Sequence, residues 1–233
     1  TLISASLFAV LLMMQHWQDS IEGQQIADAR LALAKRSEFL TQRVDDARQT
    51  LTLLAFPGEL ASARLEAIRA HLRAWSASSS KFENFYFISL DGNIHPADGP
   101  AISIIDRSYF SLVRQGQAVP GEPLIGRFTG QPVLLMAEPL RDRDGKLAGA
   151  LAATLRLEDF LSTTVYDSPG AKPALMILDA QRRVLAGGIG ETIPPLSALD
   201  PAIAPVSAGI ASGLEARSGD TALETEILPV RKN

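Results

Sequence analysis

The residues best suited to chemistry lie in Asp106-Arg107-Ser108-Tyr109-Phe110, where one guanidinium is followed two residues later by an aromatic pair. A guanidinium presents a planar fork of donors that fits a carboxylate, and neighbouring rings supply apolar walls that exclude water. That chemistry is the binding of a small anion. Arg107 could equally serve as an ordinary helix-cap contact with Asp106, and Tyr109 and Phe110 could be core residues. Tyr86, Arg127 with its neighbour Phe128, and Thr154 are further candidates, each on a segment that reads as a strand; Thr154 offers a hydroxyl with one donor and two acceptor roles.

Catalytic constellations are not evident. His16, His71 and His95 are isolated and lack metal-ligand spacing, and the chain has no cysteine, which excludes thiolate metal sites, cysteine nucleophiles and disulfides together. Asp45-Asp46 and Asp142-Arg143-Asp144 read as a solvated helix face and a hairpin turn. No nucleophile elbow or Walker-type loop occurs. The expectation is therefore no catalytic residue, no metal and no cofactor. A net charge of −4 gives no polybasic footprint for nucleic acid, and 46% hydrophobic with 21% charged residues is an ordinary globular balance over 233 residues.

The elements that must position these residues follow from periodicity. Residues 1–18 carry no formal charge before Asp19, and Leu7 to Met14 is continuously apolar, as in the C-terminal part of a transmembrane helix with Trp17 at the interface. A buried core helix or the end of a signal peptide fits the same run. Ile26, Leu33, Leu40, Ala47 and Leu54 then recur every seven residues, with Ser37, Val44 and Leu51 at the complementary offset, so 24–55 is predicted as one long helix. The stripe suits either a seam with a second chain or packing on the protein's own sheet.

Pro57-Gly58 ends that helix, and Ala61, Leu65, Ile68, Leu72 and Trp75 give the apolar face of a second one before a polar break at Ser76 to Ser80. Phe85 to Leu90 reads as a strand, with Asp91-Gly92-Asn93 a turn. A short helix is predicted over 106–115 with Asp106 at its N-cap, then strands at 122–128, 131–139 and 146–156 in a meander, and a brief helix over 157–166. After Ser168-Pro169-Gly170, residues 174–186 repeat the strand, Asp turn and returning strand seen at 86–94, and 221–230 reads as a late strand. The class is α+β: a long N-terminal helix with PAS-like antiparallel sheets. Connections after Gly121 are too short for the crossover helices of a doubly wound fold.

This order, together with residues 84–157, resembles the double Cache domain, the extracytoplasmic sensor of bacterial chemoreceptors, histidine kinases and diguanylate cyclases. The resemblance implies two PAS-like lobes, one membrane-distal and a smaller one membrane-proximal. The implied segments are 1–18, the end of a membrane helix; 19–56, a signalling and dimerisation helix; 57–165, a ligand-binding distal lobe; and 166–233, a proximal lobe incomplete at its C-terminus. It implies an inner-membrane protein with its sensor region in the periplasm, a homodimer, and a small-molecule ligand, with carboxylates among the candidates. In amino-acid-sensing members an Arg and an aromatic pair two residues on grip the ligand carboxylate, as Arg107, Tyr109 and Phe110 resemble. Those members add a Tyr five residues before the Arg and a last-strand Asp for the ammonium, where this chain has Ile102 and Thr154. An α-ammonium would lack its charge partner here. The alternative is a protein-interaction module that recognises a periplasmic binding protein or partner receptor.

Overall fold

A computed structural model of the chain describes residues 31–32, 34–56, 58–165, 175–179, 181–189, 191–198 and 226–229. The apolar run at 1–18 and the boundary at Ser168-Pro169-Gly170 lie outside the described residues. Among those described, no helix is long and apolar enough to cross a membrane.

Helix α1 occupies residues 34–55, uninterrupted by Gly or Pro, and stops before Pro57. Its buried stripe is Ser37, Leu40, Ala47, Leu51 and Ala55, with Val44 and Leu54 half-buried, so both predicted offsets lie on the covered face. The second helix is divided into α2 (Gly58–Ala61) and α3 (Leu65–Ser78), with Ile68 and Leu72 inward. The helix therefore runs on through Ser76 to Ser78, and the expected break falls at Ser79 and Ser80. Ser78 turns its hydroxyl back onto the Ala74 carbonyl, the bond by which a serine is accommodated within a helix.

Six strands form one antiparallel sheet: β1 (Asn84–Ile88), β2 (Asn93–Pro96), β3 (Ile102–Ser103), β4 (Val119–Ile125), β5 (Pro132–Arg141) and β6 (Leu147–Arg156), in the order β3-β2-β1-β6-β5-β4. The predicted meander is β4-β5-β6. Its last strand returns to pair with β1, with Asn84 opposite Thr154 and Ile88 opposite Ala150. The close β1–β6 approach depends on Gly149 (φ +154°), where a Cβ would meet the Ile88 carbonyl oxygen at 2.4 Å and the Phe87 ring at 2.7 Å.

Strand alternation separates two cores. Phe85, Leu134, Met136, Leu140, Leu151, Ala153 and Leu155 face α1 and α3, with Phe160 and Leu161 of α5 (Leu157–Val165) in the same cluster. Each fully buried leucine of this kind contributes ~1.5–3 kcal/mol relative to exposure. Tyr86, Ile88, Val133, Leu135, Ala137, Ala150 and Ala152 face the other way, beneath Ile104 and α4 (Phe110–Arg114).

A second antiparallel sheet has the order β10-β7-β8-β9, from β7 (Leu175–Leu178), β8 (Val184–Ile189), β9 (Glu191–Thr192) and β10 (Glu226–Pro229). The late strand predicted over 221–230 is β10. The repeated Asp turn is also present: Asp91 Oδ1 accepts from Asn93 N at 3.3 Å, and Asp179 Oδ1 from Gln181 N at 3.0 Å. Asp179 further accepts from Arg183 N, which makes its turn closer still to that of Asp142, whose Oδ1 accepts from Asp144 N and Lys146 N. Arg182 (φ 59°) stands where that turn has Gly145 (φ 80°).

Candidate functional site

The inward face of the first sheet, opposite α1, carries the candidate residues. Tyr86 projects from β1 and is buried, its ring stacked on Phe128 with centroids 5.2 Å apart. Thr154, from β6, is 4% exposed, and its Oγ1 is buried without a partner of hydrogen-bonding geometry. The Tyr86 phenol is near that hydroxyl. Burial pushes the Tyr86 phenol up from its ordinary pKa, and the Thr154 hydroxyl opposes the rise. A buried hydroxyl left unpaired costs ~1–3 kcal/mol, so this point of the face is poised to accept a polar group.

The segment between β3 and β4 covers the face. Tyr109 and Phe110 are both buried there, with Ile104 and Val113 in the same cluster. Burial pushes the Tyr109 phenol up to about 12, against the positive charges of Arg107 and Arg127 and with the negative charges of Glu122 and Asp106. The phenol is therefore neutral at physiological pH, within the influence of two cations and two carboxylates.

Two positions differ from expectation. Asp106 does not cap the helix: α4 begins at Phe110, Tyr109 precedes it without a side-chain cap, and the Asp106 carboxylate pairs with Arg127 instead. Arg127 and Phe128 are not on a strand, because β4 ends at Ile125 and the chain turns through 127–129, closed by hydrogen bonds from Gly126 N to Gln131 O and from Gly130 N to Gly126 O. The turn is what brings Phe128 over Tyr86, and Arg127 onto Asp106 and the Ser103 carbonyl. Arg107 is half-buried and donates to the Ile125 carbonyl at 3.1 Å. Its guanidinium is thus anchored by a neutral acceptor and keeps its charge uncompensated by that bond.

Glu122 is the residue that sequence reasoning missed. It lies on β4 two positions before the buried Leu124, and its Oε1 accepts from Ser108 Oγ at 2.5 Å, tying β4 to the start of the covering segment. It opens the strand expected over 122–128, but a lone carboxylate there gave no sign of a partner 14 residues earlier in the chain. Tyr86, Thr154, Tyr109 and Phe110 are brought to one face, with Arg107 and Arg127 at its margin; Arg127 is engaged by Asp106 and the Ser103 carbonyl, which leaves Thr154 and Arg107 as its chemically available groups. Among the described residues no group of His, Cys, Asp and Glu is arranged to hold a metal.

Residues 17–221 match the family model described as Cache domain. No curated protein matches the chain. Among solved structures, a domain from Vibrio parahaemolyticus assigned to the sensory box/GGDEF family aligns with a TM-score of 0.56 at 14% identity, covering 69% of this chain and 70% of that one. The extracellular domain of a protein assigned as histidine kinase vpHK1S-Z8 gives 0.54 at 14% identity, with 69% and 67% covered. The ligand-binding domain of the Campylobacter jejuni chemoreceptor Tlp3, in complex with L-valine, gives 0.51 at 15% identity, with 71% and 72% covered. At such identities the likeness is one of fold.

Proposed function

Since the chain belongs to the Cache domain family, we propose that it is the extracytoplasmic sensor region of a bacterial transmembrane signalling receptor and binds a small anionic metabolite between its first sheet and the covering segment. The observation that carries this reading is the buried Thr154 Oγ1, which has the Tyr86 phenol near it but no bond of full hydrogen-bonding geometry, on the same face as Tyr86 and Tyr109, with Arg107 at the margin. In this reading residues 57–165 are the membrane-distal lobe, 166–233 the membrane-proximal lobe, 19–56 a helix that pairs with its copy in a homodimer, and 1–18 the end of an inner-membrane helix, with the sensor in the periplasm. The output is a kinase, cyclase or chemotaxis module. The domain itself binds and does not catalyse.

Ligand binding transmits a signal only through a difference in affinity between two packings of the covering segment and sheet. The test is dye-monitored melting of the chain against a panel of small carboxylates, with amino acids included because the chemoreceptor relative is a complex with L-valine. A ligand that binds only the folded state raises the midpoint. Arg107→Ala is then expected to weaken an anionic ligand by ~2–5 kcal/mol. Unchanged affinity in calorimetry would remove Arg107 from the site, and a ligand located only on the second sheet would overturn the choice of lobe.

A second reading, a module that docks a periplasmic binding protein or partner receptor, is favoured by Leu53 and Phe56, which are 75% and 85% exposed at the C-terminal end of α1. Large apolar side chains left in water near one another mark contact surfaces. A panel that shifts no midpoint, with a binding protein captured through Leu53 and Phe56, would favour it.

A further inference from the structure

Strand β4 is an edge of the first sheet, so the main-chain groups on its outer side have no strand to pair with. Two of its carbonyls, two residues apart and therefore on the same side, are capped by guanidinium groups from different parts of the molecule. Arg107 Nη2 donates to Ile125 O at 3.1 Å, and Arg183 Nη2, from the turn before β8 of the second sheet, donates to Pro123 O at 3.4 Å. Pro123 has no N–H of its own to offer on that edge.

Arg183 is itself held rigidly. Its Nε donates to Asp179 Oδ2 at 2.7 Å, Asp179 is buried, and the same carboxylate fixes the turn by accepting from Gln181 N and Arg183 N. The backbone beside it is tied by Val184 N to Ser197 O at 2.8 Å and Leu196 N to Val184 O at 2.6 Å. A planar fork can hold a carboxylate with one nitrogen and reach a second acceptor with another, which an ammonium cannot do with the same geometry.

We propose that Arg183 is a positioning residue for the site on the first sheet, and that the outer edge of β4 is the element through which Arg107 and the second sheet sense one another. The inference rests on the reading of Arg107 as a ligand residue. An anion that takes the Arg107 guanidinium draws it from Ile125 O, and the outer edge of β4, whose other side is paired with β5, then keeps only the Arg183 cap. The strand, its neighbour Leu124 on the inward face and the Asp179 turn relax together. Coupling of this kind is reciprocal, so a change at either guanidinium must be felt at the other.

The test needs no ligand, which separates it from the test of the site. Native-state amide hydrogen exchange is measured on the whole chain for the wild type, Arg107→Ala and Arg183→Lys. The lysine keeps a cation beside Asp179 and so protects the fold, yet loses the fork that reaches Pro123. Arg107→Ala is expected to accelerate exchange at Val184 and Leu196, and Arg183→Lys to accelerate it at Gly126, whose amide closes the turn just after β4. Absence of either effect overturns the coupling, because reciprocity requires both. If both appear while Arg107→Ala leaves affinity for the melting-panel ligand unchanged, the coupling stands and the ligand role of Arg107 fails.

Discussion

Arg48 Nε of α1 stands 3.6 Å from Glu138 Oε1 of β5, across the packed boundary between the long helix and the sheet. The two side chains are unequally placed, 43% and 12% exposed, so the cation is half in water while the carboxylate is nearly enclosed. Burial pushes the Glu138 carboxyl above the usual carboxylate range, and Arg48 and Thr52 only partly restrain it.

A carboxyl whose folded pKa is raised adds stability that is full below its unfolded value and is lost as pH rises through the folded one. Glu138→Gln keeps the shape and removes the charge, and the half-exposed Arg48 remains solvated. The variant is expected to melt higher than wild type at pH 8 and to converge with it as pH falls toward the ordinary carboxylate range. A variant that melts lower at pH 8 would show that the ion pair outweighs the cost of burial.

Thr154→Val replaces a buried hydroxyl that has no hydrogen bond of full geometry by a methyl of nearly the same size. Relief of an unpaired buried polar group is worth ~1 kcal/mol or more, so the ligand-free chain should gain about that in urea unfolding. The same change should weaken any ligand that hydrogen-bonds there. A loss of stability would mean that the Tyr86 phenol depends on this hydroxyl.

Gly149→Ala forces a Cβ against the Ile88 carbonyl and the Phe87 ring, at a backbone angle that side chains rarely adopt. Backbone cannot swing aside as a flexible side chain can. A loss of ~2–4 kcal/mol is expected, the range of severe single substitutions, measured by denaturant midpoint at constant slope.

Arg182→Gly tests the turn of the second sheet. The left-handed backbone there costs a non-glycine residue ~1–2 kcal/mol, while glycine gives back roughly 0.5–1 kcal/mol in unfolded-chain entropy. A net gain of about 0.5 kcal/mol is expected, read as slower amide exchange at Val184. Faster exchange would show that the arginine side chain holds the turn more strongly than its backbone strains it.

The helix stripe and the Asp142-Gly145 hairpin were legible in the sequence because each is set by local spacing: seven-residue recurrence in one, an Asx acceptor with a left-handed glycine in the other. The start of β4 was not, since the strand was expected from 122 and begins at Val119, taking in Pro120 on an edge that tolerates a residue without an N–H. That shift of three residues moved Arg127 and Phe128 from an expected strand into the turn that carries them to Asp106 and Tyr86. Tyr86 and Thr154 share a face as strand alternation allows, and their proximity follows from the β1–β6 pairing. Glu138 and Arg48 meet only through the register of a helix on a sheet 90 residues further on, which no local pattern encodes.

The pairing of β1 with β6 also orders events in time. The ladder between them joins residues 84–88 to 150–154, while its neighbours β1–β2, β4–β5 and β5–β6 are local, so the sheet cannot be completed until the chain has been made through β6. Contacts so far apart in sequence must bear their loop-closure entropy before they return any stabilisation, and such topologies fold slowly. Until then the apolar stripe of α1, synthesised first, has no sheet to cover it. The nascent chain thus exposes Leu40, Leu51 and Ala55 through more than 100 residues of elongation, the interval in which a holding chaperone would find its target.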